Sequence, residues 1–334
     1  MKTWIALLLS LATGQDTARS AAEDDRSCVI VVVGAAAVEE YEDTFESWAD
    51  RWQTAASEAD ARFIRIGGSK PQSSSEGTVL VETDREHLRR AIVQYSSAET
   101  PLWIVLIGHG TFDGQTAKFN LVGPDFTPQQ LGEWLDDVTR PVAIVNCASA
   151  SGPFVNELSA AERVIVTATR NGHELNYARF GDYISAAMND ASADLDKDDQ
   201  VSLLEAYLTA SKRVAEFYQT ESRLATEHAL LDDNGDSLGT PADWFRGVRA
   251  TRRARDGAAL DGARAHQFHL IQSQSERAIS PSIRTKRDRI ELDIAKLRDQ
   301  KETLSEDSYY AQLEALMLKL AEIYKSLDAL KQAG

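Results

Sequence analysis

The chain has 334 residues, 43% of them hydrophobic and 26% charged, with 19 Gly, 8 Pro and 2 Cys. That is enough apolar residue for one large core or two modest ones, which excludes wholesale disorder, and two cysteines exclude both a disulfide-stapled miniprotein and a four-cysteine zinc site. With 36 Lys+Arg against 52 Asp+Glu, the net charge of −16 has the wrong sign for a general nucleic-acid binder.

Lys2 precedes an apolar run over 4–12, and the small residues around Ala12 and Gly14 suit a cleavage point. The pattern predicts a signal peptide over 1–14, followed by a polar linker over 15–27, and so an exported protein, periplasmic or extracellular. No segment approaches the ~20 apolar residues that a membrane span needs.

From 28 to 190, apolar runs alternate with helical spacing. Cys28–Val33 (CVIVVV) is a β-branched run ending at Gly34, as expected of a strand covered on both faces. Tyr41, Phe45, Trp48 and Trp52 then recur at helical spacing. A strand is predicted over 62–66, a helix capped by Asp84, and a strand over Leu102–Ile107 (LWIVLI). A helix capped near Thr127, a strand over 142–145, a short helix at 154–160 and a strand over 164–167 complete the series. Such alternation specifies a mostly parallel α/β sheet with helices on both faces.

Chemistry in such sheets gathers beyond the carboxyl ends of the strands. His109 follows LWIVLIG directly, and Cys147 follows VAIVN. A thiol and an imidazole on two parallel strand tips are what a Cys–His nucleophilic site requires. Gly110 allows close approach of a substrate, and the N–H groups of Gly110 and Cys147 are candidates for an oxyanion hole. Cys28 opens the first strand, a strand's length from Cys147, so a disulfide between them is not expected.

Strand–His-Gly, helix, then strand–x-Cys resembles the legumain-like branch of the caspase-fold cysteine peptidases. The run RVIVTATRNGHELNYARFGDYI (163–184) is similar to that family's next strand and the loop walling its specificity pocket. The resemblance covers about 28–190. It implies a caspase-like three-layer sandwich and an endopeptidase acting through a thioester, with His109 and Cys147 as the dyad. Asp182 matches the family's acidic pocket residue, and Glu174 lies in the same loop as a second substrate-binding candidate. Where those relatives carry polar and basic residues after the first strand, this chain has Gly34-Ala35-Ala36-Ala37 followed by Glu39 and Glu40. An acidic pocket without a compensating arginine would favour Lys or Arg before the scissile bond.

A region over 191–245 reads as helical with calcium loops. Asp194, Asp196, Asp198, Gln200, Ser202 and Glu205 occupy places 1, 3, 5, 7, 9 and 12 of an EF-hand loop, with Asp199 where Gly is usual. A fainter echo is Asp232, Asn234, Asp236 and Asp243. Ca2+ is expected, and no organic cofactor.

Residues 246–334 hold 17 basic and 13 acidic side chains, which places a boundary near 245. Five arginines between 246 and 255 suggest a basic linker over 246–282, readable also as a self-processing site. His266 and His269 read as surface residues. From 283 to 334, Ile290, Ile294, Leu297 and Leu304, then Leu313, Leu316, Leu320, Ile323, Leu327 and Leu330, form a narrow stripe. It predicts a helical hairpin or coiled coil, and with it a helical partner or a homo-oligomer. The sequence thus reads as an exported cysteine endopeptidase acting on peptides or proteins. The alternatives are a transpeptidase or ligase using the same dyad, and an inactive calcium-dependent scaffold.

Overall fold

The computed structural model describes residues 25–68, 82–256 and 258–333. The signal segment 1–14 and most of the 15–27 linker lie outside the described residues. Strands run in chain order as β1 (Cys28–Val33), β2 (Arg62–Gly67), β3 (Leu102–Ile107), the small hairpin β4 (Gly110–Phe112) and β5 (Ala117–Phe119), β6 (Val142–Asn146), β7 (Arg163–Thr167), β8 (Leu230–Asp232), β9 (Thr240–Pro241), and the hairpin β10 (Phe245–Arg246) and β11 (Arg249–Ala250). The main sheet has the order β2-β1-β3-β6-β7-β8-β9. Its first five strands are parallel, and β8 and β9 add an antiparallel edge. Every residue of β1, β3 and β6 is buried, which is why these strands read as unbroken apolar runs rather than alternating ones.

Alternate strand residues feed two cores. Val31, Val105, Val145 and Val166 face α1 (Glu39–Glu58), and the same core takes in α5 (Phe180–Ala187) and α6 (Leu203–Thr220). Ile30, Ile104, Ile144 and Ile165 face α2 (Asp84–Gln94), α3 (Pro128–Trp134) and α4 (Pro153–Leu158). The architecture is therefore the expected three-layer α/β sandwich with a mostly parallel sheet. One detail differs: Thr83, not Asp84, caps α2. Its hydroxyl accepts the Glu86 N–H while the Glu86 carboxylate accepts that of Thr83, so Asp84 becomes the first helical residue.

The segment 246–282 is folded onto the body rather than acting as a linker. Phe245, Ala265, Phe268 and Leu270 are buried in the same core as α6, so the charge asymmetry near 245 marks no packing boundary. The short α7 (Gln274–Arg277) follows, and then α8 (Pro281–Asp299) and α9 (Glu306–Ala333) pair as the expected helical hairpin. Polar contacts tie the hairpin down. Arg287 forks onto both Glu276 oxygens at 2.7 Å, and the Asp299 carboxylate accepts the Leu260 N–H at 3.0 Å. Among the described residues no helix is long and apolar enough to cross a membrane.

The crossing of α1 and α5 matters most for the site. A Cβ built on Gly181 would stand 2.3 Å from the Trp48 ring and 2.9 Å from the Cys147 Cβ. Glycine is required there because two packed elements meet at its Cα. Gly181→Ala should lower stability by about 1–3 kcal/mol through overpacking. Denaturant unfolding checks this: the midpoint should fall with little change in slope.

Candidate active site

β3 and β6 pair in parallel with Leu106 opposite Asn146, which sets Ile107 opposite Cys147 and His109 two residues beyond. Because side chains alternate along a strand, His109 and Cys147 share a face. It is the face of α1 and α5, where Ile107 and Val145 also point.

His109 is held on several sides. Tyr41, Phe45 and Tyr177 surround its ring, with centroids 5.1, 5.3 and 6.4 Å away. Its Nε2 is buried without a hydrogen-bond partner, so the bond to the Ala36 backbone is made through Nδ1. Donation to that carbonyl fixes the tautomer and leaves Nε2 as a bare acceptor. Desolvation holds the imidazole below its ordinary value, and the Ala36 bond opposes this in part.

Cys147 is 1% exposed. Burial pushes its thiol far above the usual range, and the Glu227 charge raises it further. Neutral thiol and neutral imidazole are therefore the resting forms, not a thiolate–imidazolium pair. Both cysteines are free. Cys28 aligns with Val142, about 17 Å of strand from Cys147, and burial raises its thiol to about 11.

The expected oxyanion donors are both engaged. The Cys147 N–H donates to the Leu106 carbonyl at 2.9 Å as part of the sheet ladder. That of Gly110 donates to the Ser149 hydroxyl at 3.2 Å, and the same hydroxyl donates back to the Gly110 carbonyl. Gly110 is glycine for a packing reason: a Cβ there would lie 2.2 Å from the Ser149 carbonyl oxygen.

The specificity candidates are corrected too. Asp182 has a compensating arginine: Arg51 Nη1 on α1 contacts its Oδ1 at 2.6 Å and its carbonyl at 2.9 Å. An acidic pocket for Lys or Arg is thereby neutralised. Glu174 is bound internally, with Oε1 2.6 Å from His228 Nδ1 and Oε2 accepting the N–H groups of Arg170 and His228 at 3.1 Å. Beside it, buried Glu227 accepts the N–H groups of Arg179 and Phe180 at the start of α5. Glu227 and His228 thus pin the segment 170–181, whose Tyr177 packs on His109 and whose Gly181 meets Cys147. Neither carried a signal in the sequence, because their partners lie about 50 residues earlier.

In the 194–205 loop, Asp194, Asp196 and Asp198 bring carboxylate oxygens within 4.8 Å of one another. Asp199 adopts φ +67°, the left-handed conformation that glycine usually supplies at that place. Place 7 calls on the Gln200 backbone carbonyl, while the side chain is used elsewhere: Oε1 accepts the Ser273 N–H, and Nε2 donates to Asp198. Ser202 and Glu205 form the capping box of α6, and Glu205 Oε1 also accepts the N–H of Leu195. His266 is not a detached surface residue, since its Nε2 lies 3.0 Å from Asp196 Oδ2, and His269 Nε2 is buried. In the second loop, β8 and β9 pair Leu231 with Thr240 and Leu230 with Pro241. That register carries Asp243 past Pro241, to the far end of the hairpin from Asp232, so it cannot join Asp232 and Asp236.

No protein-family model and no curated protein matches the chain. Among solved structures it is similar to the Drosophila initiator caspase Dronc, at 14% identity over 63% of this chain and 80% of that one, with a TM-score of 0.42. It is also similar to caspase-1 from Spodoptera frugiperda, at 11% identity over 63% of this chain and 87% of that one, with a TM-score of 0.38.

The burial has a direct readout. In the native protein Cys147 should react with a thiol reagent no faster than Cys28, both reacting fully only in denaturant. His228→Ala releases one side of the covering segment and should speed Cys147 about tenfold, with Cys28 unchanged. Fast native labelling of Cys147 in the unmodified chain would contradict the closed site.

Proposed function

We propose that this chain is a cysteine endopeptidase whose nucleophile is Cys147 and whose base is His109, described here in its closed form. One observation carries the reading. A buried, unpartnered Nε2, oriented by a carbonyl bond at Nδ1, shares a sheet face with a thiol on the neighbouring parallel strand. Opening of the segment 170–181 is the step that admits substrate.

In the open form His109 Nε2 takes the Cys147 proton as sulfur attacks the scissile carbonyl, because neither group is charged at rest. The tetrahedral intermediate collapses with loss of the amine, which receives the proton from the imidazolium. Water, deprotonated by His109, then hydrolyses the thioester and restores the thiol. Gly110 can serve the oxyanion, since its present acceptor is only the Ser149 hydroxyl, which a substrate oxygen can displace. The Cys147 N–H belongs to the ladder and has no such role. An amine in place of water at the second step would make the same dyad a transpeptidase.

Export through the 1–14 segment and Ca2+ at the 194–205 loop belong to the same reading. The convergence of Asp194, Asp196 and Asp198 fits Ca2+, a hard cation that takes oxygen ligands. Bound there, it would tie the start of α6 to the turn before it. The burial of Cys147 favours a second reading, an inactive scaffold.

Fluorogenic peptides varied before the scissile bond, assayed with and without Ca2+, separate these readings. Cys147→Ala should abolish turnover, and His109→Ala should lower kcat/KM by about 10²–10⁴-fold. Activity requires neutral His109, whose pKa is lowered below 6.5 by burial. Because kcat/KM follows the protonation of the resting enzyme, its acid limb should fall below pH 6.5, with activity lost as pH drops through it. Silence in every condition, including in the His228→Ala protein, would favour the scaffold.

A further inference from the structure

Four acidic side chains crowd the edge of the sheet opposite Cys147. Asp232, Asp233 and Asp261 are 1%, 6% and 4% exposed, and Asp236 is half-buried beside them. Two are fully provided for. Asp233 accepts the N–H groups of Gly262, Arg264 and Ala265 at 2.7–2.9 Å. Asp261 accepts the Asp233 N–H and the Thr240 hydroxyl, and burial beside the Asp233 charge raises its carboxyl well above the usual range.

Asp232 and Asp236 are different. Each spends Oδ1 on a backbone N–H, that of Gly235 at 3.2 Å and that of Leu238 at 2.9 Å. By hydrogen-bond geometry each leaves Oδ2 buried without a partner, although the Ser159 hydroxyl lies close enough to Asp232 to favour its charged form. Burial is the largest cause raising the Asp232 carboxyl, and the neighbouring Asp236 and Asp233 charges add to it. Among the described residues no Lys, Arg or His side chain forms an ion pair with any of the four acids. Arg264, whose backbone N–H binds Asp233, commits its guanidinium to Glu162. Buried carboxylate oxygens without donors are costly, and proteins offset them with a paired cation or a metal.

We infer that the turn between β8 and β9 is a divalent-cation site, with Asp232 Oδ2 and Asp236 Oδ2 as its anchoring ligands and Ca2+ as its occupant. Oxygen-only donors in a short turn suit that ion, and residues 232, 234 and 236 alternate as such loops require. Gly235, at φ +80°, supplies the tight turn, packed against the backbone of Ala160 and Ala161. The turn also meets the end of α4: Asn156 Nδ2 donates to the Ser237 carbonyl, and the Ser237 N–H donates to the Ser159 hydroxyl, both at 2.9 Å. A bound cation would therefore clamp the antiparallel edge of the sheet to the α4–β7 connection. This role is structural, stands apart from the dyad, and does not depend on the peptidase reading.

The test uses the full chain, stripped with EDTA and titrated calorimetrically with CaCl2 and, separately, MgCl2, for the unmodified protein, Asp236→Asn and Asp198→Asn. A Ca2+-binding event that survives in Asp198→Asn should be lost, or weakened at least ~tenfold, in Asp236→Asn. In EDTA, Asp236→Asn should melt no lower than the unmodified chain, because an amide relieves the carboxylate repulsion. Its gain in melting temperature on adding Ca2+ should be the smaller of the two. Titration of Asp236→Asn indistinguishable from that of the unmodified protein would overturn the site, as would absence of Ca2+ uptake by the unmodified protein. Preference for Mg2+ would overturn the assignment of Ca2+.

Discussion

The parallel, in-register pairing of β3 with β6 is the constraint on which the candidate site depends. It brings the carboxyl ends of both strands to one edge, and because side chains alternate, residues of matching parity share a face. His109 and Cys147 satisfy both conditions with only Gly108 as a spacer beyond β3. The same alternation explains why the thiol is buried. The face that receives it is already occupied by α1 and α5, which meet at Gly181 closely enough to exclude a Cβ.

Burial then dictates the electrostatics. Desolvation disfavours the charged form of both groups, raising the thiol and lowering the imidazole. In the proposed reaction this makes the attack base-assisted rather than the work of a standing ion pair. It also follows that reactivity depends on the segment 170–181, which is held by two side chains in sequence: Glu227 at the start of α5 and His228 on Glu174. In the proposed reading a short stretch just before β8 controls a cysteine at the end of β6.

The strands were legible because both faces of the sheet are covered, so their sequences are uniformly apolar. His109 and Cys147 were legible because they directly follow such runs. Interactions spanning many residues were not. Asp182 looked like an uncompensated acid because Arg51 stands 131 residues earlier, on a helix whose crossing with α5 no local pattern reveals. The basic stretch 246–282 looked like a linker because its few core residues, such as Phe268 and Leu270, are scattered among charges. The two acidic loops show a further limit. Ligand spacing favoured 194–205, but there the Ser202 and Glu205 side chains are engaged by the protein itself. The fainter loop at 232 holds the unpartnered buried oxygens. Spacing records which side chains could converge; burial and the donors already present decide which ones need an ion.

The central claim is that Cys147, assisted by His109, forms a thioester. Quenched-reaction intact-mass spectrometry with an activated peptide ester tests it most directly, followed by mapping of the modified residue. The account predicts an acyl adduct on Cys147 that accumulates and then decays. The adduct should be absent in Cys147→Ala, slow to form in His109→Ala, and quicker to form in His228→Ala. An adduct on Cys28 alone, or formation on Cys147 at a rate indifferent to His109, would contradict it.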